Sequence, residues 1–353
     1  MCDLMNRGLR DHVRTTMMDR RFFFRATAAA TLTLAVAPGV LGGVARAAGK
    51  EITATHGAGM CNLNLFLANV MHTVQDQGVD LKLVTTPTFA DEVTMIASGQ
   101  LDAGVMPYTS FLALRDAGVD VKIVGGGGMG GVGLVAQPGL KLADFKGKTL
   151  GTFQNDTLEI LAYDWLKKHG VNYKDLQVRY FDTTPESVQA FMSGAVDLLS
   201  TIEPYGTIIL KDKPDVTMLS DGSDIYGTPF YTDCILGVRA GLIKENPGAV
   251  KALIKGMLQA QAVAESDPKG TLGKLLGSYY KTDMERGSIA MAKQPSVVDQ
   301  RNMATFILDR GQSLMELGYI KAKPDASAFD WSLLEQVIAE DPQTFAKLKH
   351  KAA

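Results

Sequence analysis

The sequence predicts an α/β protein built as two lobes that are joined by a two-stranded hinge. One observation is a unit that occurs twice, at residues 93–108 and 188–205, and reads as a helix end, a Ser-Gly stop, a short apolar strand and Pro-Tyr. A second is the alternation of strand and helix patterns around both copies, which is typical of mainly parallel sheets. A third is the glycine-rich segment 125–131, which we interpret as a flexible crossing between the lobes.

The two copies match where a helix ends and a strand begins. Gly99 and Gly194 each follow an apolar helical pattern, at the place where a helix C-cap favours positive φ. Asp102 and Asp197 then open strands that are too apolar to be solvated on both faces. Helix-Gly-strand units are common in α/β proteins, but the shared aspartate and Pro-Tyr favour two lobes with one plan.

Hydrophobic periodicity places the other elements. The capping box Asp156–Glu159 opens a second-lobe helix that Gly170 ends, and Asn246-Pro247 opens a long helix after the chain returns to the first lobe. The remainder is predicted helical, with a last helix around Trp331. Outside the repeats, strands are expected at 51–55, 79–85, 119–124, 131–137, 148–152, 176–180, 216–219 and 234–240, and first-lobe helices after Asn62 and over 108–118.

The first 47 residues read as an export signal. Arg20 and Arg21 precede aromatic residues and a short apolar stretch at 26–37, and the segment 45–47 offers a small-x-small cleavage site. The arginine pair is typical of the twin-arginine route. We therefore expect a periplasmic protein with a leader at 1–47, lobe one at 48–131, lobe two at 132–233, and a return to lobe one with C-terminal helices at 234–353.

Charge and cysteine content narrow the function classes. The formal net charge of −2 disfavours nucleic acid and anionic membranes as partners. Cys61 and Cys234 lie beyond the leader, and either a disulfide or two buried free thiols is compatible with the sequence. We find no spacing typical of metal ligands, no nucleophile elbow and no phosphate loop, so no cofactor, no metal and no enzymatic activity are expected.

The order of these signals resembles one family. The leader, the loop before the first helix, Ser98–Asp102, the glycine-rich crossing, Glu203-Pro204-Tyr205 and Asn246-Pro247 are similar to the ABC-importer periplasmic solute-binding proteins of the sulfonate, taurine, nitrate and thiamine-precursor (NMT1/THI5-like) branch. The resemblance covers nearly all of the chain beyond the leader. It implies a type II periplasmic-binding-protein fold, a monomer that closes on a small ligand, and docking onto an ABC permease in the inner membrane.

Candidate ligand-binding residues follow from the loops that should face each other across the cleft. Asp156 is also a helix cap, Tyr108 and Tyr205 could cover sheet edges, and Glu203 could be a solvated turn residue. The predicted binding residues are His56, Asn62, Tyr108, Thr109, Gln154, Asn155, Asp156, Thr157, Glu203, Tyr205, Tyr231, Thr232 and Asp233.

These loops carry acids, amides, hydroxyls and aromatic rings but neither lysine nor arginine. Binders of strong anions usually present those cations, so we expect a neutral, zwitterionic or cationic ligand such as a pyrimidine-like heterocycle or an amine. A sulfonate or taurine-type ligand held by helix N-termini is one alternative. A second alternative is an enzyme like the related pyrimidine-precursor synthases, although their Cys-rich iron-binding stretch is missing here. A third is a ligand-sensing partner of a membrane receptor.

Overall fold

The computed structural model of the protein describes residues 51–86 and 89–352, so the expected leader at 1–47 lies outside the described residues. Within them, no helix has the length and apolar character needed to cross a membrane. The strands are β1 (Glu51–His56), β2 (Asp80–Val84), β3 (Ala103–Pro107), β4 (Val121–Gly126), β5 (Val132–Ala136), β6 (Thr149–Thr152), β7 (Gln177–Tyr180), β8 (Leu198–Ile202), β9 (Thr217–Ser220) and β10 (Cys234–Arg239).

The strands form two five-stranded sheets with the same plan. The first has the order β2-β1-β3-β10-β4 and the second the order β7-β6-β8-β5-β9. In each sheet three strands pair in parallel, and the strand that enters from the other sheet is antiparallel to its neighbours: β10 in the first and β5 in the second. The predicted α/β class with two lobes is confirmed, but each sheet is mixed rather than mainly parallel, because the strand that enters from the other sheet makes two antiparallel pairings.

Helices follow most of the strands and continue beyond the return to the first sheet. The strands β3, β5 and β8 are buried or nearly so along their whole length, as expected for strands covered on both faces. The helices are α1 (Leu63–Val70), α2 (Phe89–Ala97), α3 (Tyr108–Asp116), α4 (Thr157–Lys168), α5 (Thr184–Met192), α6 (Tyr205–Asp212), α7 (Ser223–Tyr226), α8 (Ala240–Glu245), α9 (Pro247–Ser266), α10 (Pro268–Leu275), α11 (Met284–Lys293), α12 (Ala304–Leu317), α13 (Ser332–Glu340) and α14 (Pro342–Lys347).

The repeated unit is present in both lobes with the same hydrogen bonds. Gly99 and Gly194 have φ of 74° and 79°, which confirms the predicted helix ends. Asp102 Oδ2 accepts a hydrogen bond from the Thr53 backbone N–H at 3.1 Å, and Asp197 Oδ2 accepts one from the Thr149 backbone N–H at 2.9 Å. Each aspartate therefore joins the start of its own strand to the neighbouring parallel strand.

Two C-terminal helices connect the lobes. The α11 residue Glu285 pairs with Lys211 of α6 at 2.8 Å. Arg310 of α12 pairs with Asp164 of α4 at 2.7 Å, and Ser313 donates to the same carboxylate at 2.6 Å. The second lobe is thus braced by helices that follow the return strand in sequence.

Three predicted elements differ from the structure. The first helix ends at Val70 rather than continuing to the glycine at 78, because a turn and a 3-10 helix intervene. The last helix is α14, one helix beyond that of Trp331. In the predicted capping box, Asp156 accepts from the Leu158 N–H at 2.9 Å as expected, but Glu159 reaches back to the Asn155 N–H at 2.9 Å rather than to Asp156.

The glycine-rich crossing is tightly packed, which corrects its interpretation as the most flexible stretch. A Cβ atom on Gly128 would lie 2.4 Å from the Cβ of Cys61, and one on Gly131 would lie 2.3 Å from the Cβ of Gln294. The crossing also forms backbone hydrogen bonds to the segments 231–234 and 295–298. Glycine is required here because other chain segments approach the backbone closely.

Candidate functional site

A cleft lies between the two sheets, beyond the carboxyl ends of their parallel strands, where ligands bind in open α/β sheets. The structure holds two overlapping cavities there, of about 660 and 510 Å³. His56 at the end of β1 and Pro107 at the end of β3 line the first-lobe side, and Phe153 and Asp182, which follow β6 and β7, line the opposite side. This volume fits a small organic molecule.

Aromatic rings form one wall of the cleft. Phe66 of α1 lies at the centre, with its ring stacked on that of Tyr279 at a centroid separation of 4.2 Å. The His56 ring meets the edge of Phe66 at 4.8 Å, and Phe153 lines the cavity from the second lobe. Such a wall offers flat apolar surface and, at the ring faces, attraction for a cation.

Acidic side chains supply the charge of the cleft. Glu92, Asp156, Asp182 and Asp233 line the two cavities, and no lysine or arginine of the described residues does so. Burial raises the pKa of Glu92 to about 7, with a further contribution from the charge of Asp156 across the cleft. Burial likewise raises the pKa of Asp156 to about 7 and that of Asp233 to about 6. Each carboxylate is costly to ionise without a positive partner.

The floor of the cleft is formed by a polar cluster around Asp233. This residue is fully buried at the start of the return to the first sheet. Its Oδ1 accepts a hydrogen bond from Thr157, and its Oδ2 accepts bonds from Gln294 Nε2 at 2.9 Å and from the Cys234 thiol at 3.2 Å. Cys61, a buried free thiol like Cys234, completes the cluster.

Several hydrogen bonds join the lobes beside this floor. Thr109 and Ser110 of α3 both donate to the backbone carbonyl of Asn155 in the second lobe, at 2.9 and 3.0 Å. The Met60 N–H donates to the carbonyl of Glu203 at 2.9 Å. The lobes therefore meet through several polar contacts.

The structure brings only part of the predicted site together. His56, Asn62, Gln154, Asp156 and Asp233 line the cleft, although His56 belongs to a strand rather than a loop and burial lowers its pKa. Thr109, Asn155 and Thr157 act instead in contacts between the lobes. Tyr108, Tyr231 and Thr232 are buried, and the rings of Tyr108 and Tyr231 pack against Phe306; Tyr205 lies outside the residues that line the cleft.

The side chain of Glu203 does not line the cleft. Its carboxylate pairs with Lys293 of α11 at 3.3 Å and accepts from the Thr207 N–H at 3.0 Å. Both charged residues line a separate cavity of about 400 Å³. The interpretation of Glu203 as an acid of the cleft is therefore not supported, because a cation from a distant helix already neutralises it.

Sequence reasoning missed several residues that line the cleft. Phe66 falls at the helical spacing of the apolar residues after Asn62, which by itself indicates only a core position, and Tyr279 lies in a turn with no recognisable pattern. Glu92 and Asp182 look like ordinary surface acids in the sequence. Cys61 and Cys234 were considered only as a disulfide or as core thiols, and no local spacing connects them to Asp156 or to the aromatic wall.

Comparison with known proteins identifies the family. The sequence profile of the family described as NMT1/THI5 like matches residues 74–271. A protein of Brucella abortus that carries the name of a binding protein is 26% identical over 217 residues, which are 61% of this chain and 61% of that protein. The match thus spans less than two thirds of the length of that relative.

Solved structures share the fold at low sequence identity. One is the ligand-binding component of an ABC-type import system from Staphylococcus aureus with zinc bound, with TM-score 0.69, 16% identity, and coverage of 82% of this chain and 99% of that chain. Another is the periplasmic aliphatic sulphonate-binding protein of Escherichia coli, with TM-score 0.67, 17% identity, and coverage of 80% and 92%. The predicted type II periplasmic-binding-protein fold is confirmed.

Proposed function

The chain belongs to the NMT1/THI5-like family, and from that membership we propose that it is an exported solute-binding protein that carries a small organic molecule to an ABC importer. The two-lobed fold supports this role, because a ligand-binding component of an ABC-type import system and a periplasmic sulphonate-binding protein have the same fold. The leader expected at residues 1–47 supports export by the twin-arginine route. The partners in this proposal are the ligand and an inner-membrane permease.

The ligand in this proposal is a cation or a neutral N–H donor with a flat aromatic body, such as a pyrimidine-like heterocycle that carries an amine. The acidic lining carries this inference: Glu92, Asp156, Asp182 and Asp233 face a cavity to which the described residues contribute no lysine or arginine. The Asn62 Oδ1 atom adds a buried acceptor that has no protein donor within the described residues. A ligand rich in N–H donors satisfies these acceptors.

The aromatic wall supports the same ligand class. A planar ring can pack against the partly buried rings of Tyr279 and Phe153, which line the cavity, while a positive group reaches the acids beside them. Because burial raises the pKa of Asp156 and of Glu92 to about 7, both groups gain from a positive partner at neutral pH.

A strong anion such as a sulfonate fits the site less well. The helices α1, α4 and α5 all begin at the cleft, and at α4 the Asp156 carboxylate already accepts from the Leu158 N–H at 2.9 Å. An anion there would face a carboxylate rather than free backbone donors. The described lining also offers no arginine for a bidentate contact.

A thermal-shift screen with matched ligands tests the proposal. Each pair consists of an aminomethyl-substituted pyrimidine and the pyrimidine with a carboxylate at the same carbon. At a hundredfold excess of ligand over Kd, binding raises the free energy of unfolding by about 2.7 kcal/mol. For a protein of this size, each kcal/mol of added stability raises Tm by about 2 to 4 °C. We expect a shift with the amine alone. A shift with the carboxylate alone would overturn the assigned ligand class.

A further inference from the structure

We propose that Cys61, Asp233 and Cys234 bind a soft divalent metal ion of the Zn²⁺ class at the floor of the cleft. The two Sγ atoms and one carboxylate oxygen all lie within 4.8 Å of one another. All three residues are at most 3% exposed. Thiolates select soft ions such as zinc, and a carboxylate oxygen is a common additional ligand of zinc in proteins.

The spacing of these atoms is close to that of a tetrahedral site. With Zn–S bonds of about 2.3 Å, two thiolates on one tetrahedral ion lie about 3.8 Å apart. The cluster therefore needs to contract by at most about 1 Å to hold the ion. The thiols come from two segments that already touch, since Cys61 lies in the 3-10 turn after β1 and Cys234 opens β10.

Neighbouring side chains hold the ligand atoms in place. Gln294 Nε2 donates to Asp233 Oδ2 at 2.9 Å, and Thr157 donates to the other oxygen of this carboxylate. Asn62 Nδ2 donates to Cys61 Sγ at 3.2 Å. Metal ligands in proteins are oriented by such outer partners, which also adjust their affinity for the ion.

Binding of the ion conserves the charge of this buried cluster. Without metal, two neutral thiols and one carboxylate carry a charge of about −1, and the Cys234 thiol donates to Asp233 Oδ2 at 3.2 Å. A divalent ion replaces the two thiol protons, which leave to solvent, and the charge stays near −1. The ion thus takes the place of hydrogen bonds within the cluster without adding a buried charge.

One coordination position remains open toward the cleft. All three residues line the larger cavity, so water or a donor atom of a small molecule can reach an ion held there. Three protein ligands and one open position are the arrangement of a zinc ion that interacts with a further molecule, whereas closed structural sites have four protein ligands. This inference does not depend on the organic ligand proposed above.

Cobalt titration of the full-length protein, reduced with a phosphine and kept under anaerobic conditions, tests the metal site. We expect one Co²⁺ per chain with a thiolate-to-cobalt charge-transfer band that Zn²⁺ displaces. Cys61→Ser and Cys234→Ser should each lose most of this band. Cys2→Ser, which removes the third thiol of the chain, is the matched control and should keep the band unchanged.

Two further variants separate the site from a general effect on folding. Gln294→Ala keeps all three ligands and should weaken binding about 10- to 100-fold. Asp182→Asn, an acid of the same cleft outside the cluster, should leave metal affinity unchanged. The proposal is overturned if the full-length wild-type protein shows three free thiols and no charge-transfer band, or if the band survives in both the Cys61→Ser and the Cys234→Ser variants. It is also overturned if Cys61 and Cys234 are joined by a disulfide in protein purified from its native compartment.

Discussion

Thr157 and Asp233 link the two lobes at the floor of the cleft: the hydroxyl of the first residue of α4 donates to a fully buried carboxylate at the start of β10. Because Asp233 also contacts Cys234 and Gln294, this single bond connects the second-lobe helix to the polar cluster of the first lobe. If the lobes move relative to each other, either the hydrogen bond between Thr157 and Asp233 breaks or the polar cluster around Asp233 moves with α4.

Loss of the Thr157 hydroxyl should destabilise the protein. In Thr157→Val, one oxygen of the buried Asp233 carboxylate loses its donor, which costs about 1 to 3 kcal/mol of unfolding free energy. Urea unfolding measures this difference. Thr157→Ser keeps the hydroxyl and should stay close to the wild type; equal losses in both variants would show that methyl packing rather than the hydrogen bond matters.

Asp156 should contribute to affinity for a cation without being needed for the helix. Asparagine is as good an N-cap as aspartate, so Asp156→Asn should leave α4 stable while it lowers affinity for a cationic ligand by about tenfold, equal to about 1.4 kcal/mol. Calorimetry with a ligand found in the thermal-shift screen measures this change.

Asp267→Asn is the matched control for that experiment. Asp267 caps α10, where it accepts from the Gly270 N–H at 2.9 Å, and it does not line the cleft. Ligand affinity should be unchanged in this variant. Similar losses in both variants would argue against a specific role for Asp156.

The protein without organic ligand or metal ion should become less stable as pH rises from about 5 to about 8. Folding raises the pKa of Glu92 and Asp156 to about 7 and that of Asp233 to about 6, whereas acids in the unfolded chain titrate near 4. Within this window the folded state binds more protons than the unfolded state, so unfolding free energy falls as pH rises. The lowered pKa of His56 acts in the opposite direction but concerns a single group.

Glu92→Gln tests the origin of that pH dependence. The variant removes one of the three carboxylates, so its Tm should fall less steeply between pH 5 and 8 than that of the wild type. Differential scanning calorimetry across this range measures both slopes. Parallel curves for the two proteins would contradict the assigned contribution of Glu92.

Gly131 should be far less tolerant of a side chain than Gly139. Both have positive φ, 73° and 75°, so alanine strains the backbone similarly at either position. At Gly131 the new Cβ would also lie 2.3 Å from the Cβ of Gln294, while nothing lies within 4 Å at Gly139. Gly131→Ala should thus be less stable than Gly139→Ala by about 1 to 3 kcal/mol, as measured by chemical denaturation. Equal stability of the two variants would show that the segments packed against Gly131 can shift to accommodate a side chain.

The two lobes could be predicted from the repeated unit because each of its features spans only a few residues. An apolar helical face, a glycine with positive φ and an aspartate at a strand start are each visible within a few residues, and both copies fold as expected. The acidic and aromatic character of the cleft was also predicted in part. His56 ends β1 and Asp156 follows β6, strands whose carboxyl ends face the ligand side, and Asp233 directly precedes β10, which runs antiparallel to its neighbours.

Contacts between distant segments could not be predicted in this way. The sequence around Glu203 shows no positive partner for this acid. In the structure Lys293, which lies in a helix much later in the chain, is 3.3 Å from its carboxylate. Cys61 and Cys234 show no metal-ligand spacing because the fold, rather than a short motif, brings them together. The glycines of the crossing looked flexible because sequence does not show which segments pack against them.

Mass spectrometry of the small molecules released from protein purified out of its native cells tests the central claim most directly. The acidic lining and the wall formed by Phe66 and Tyr279 predict a single enriched compound that has an aromatic ring and an amine or several N–H donors. An enriched sulfonate or carboxylate without a positive group would contradict this account of the cleft.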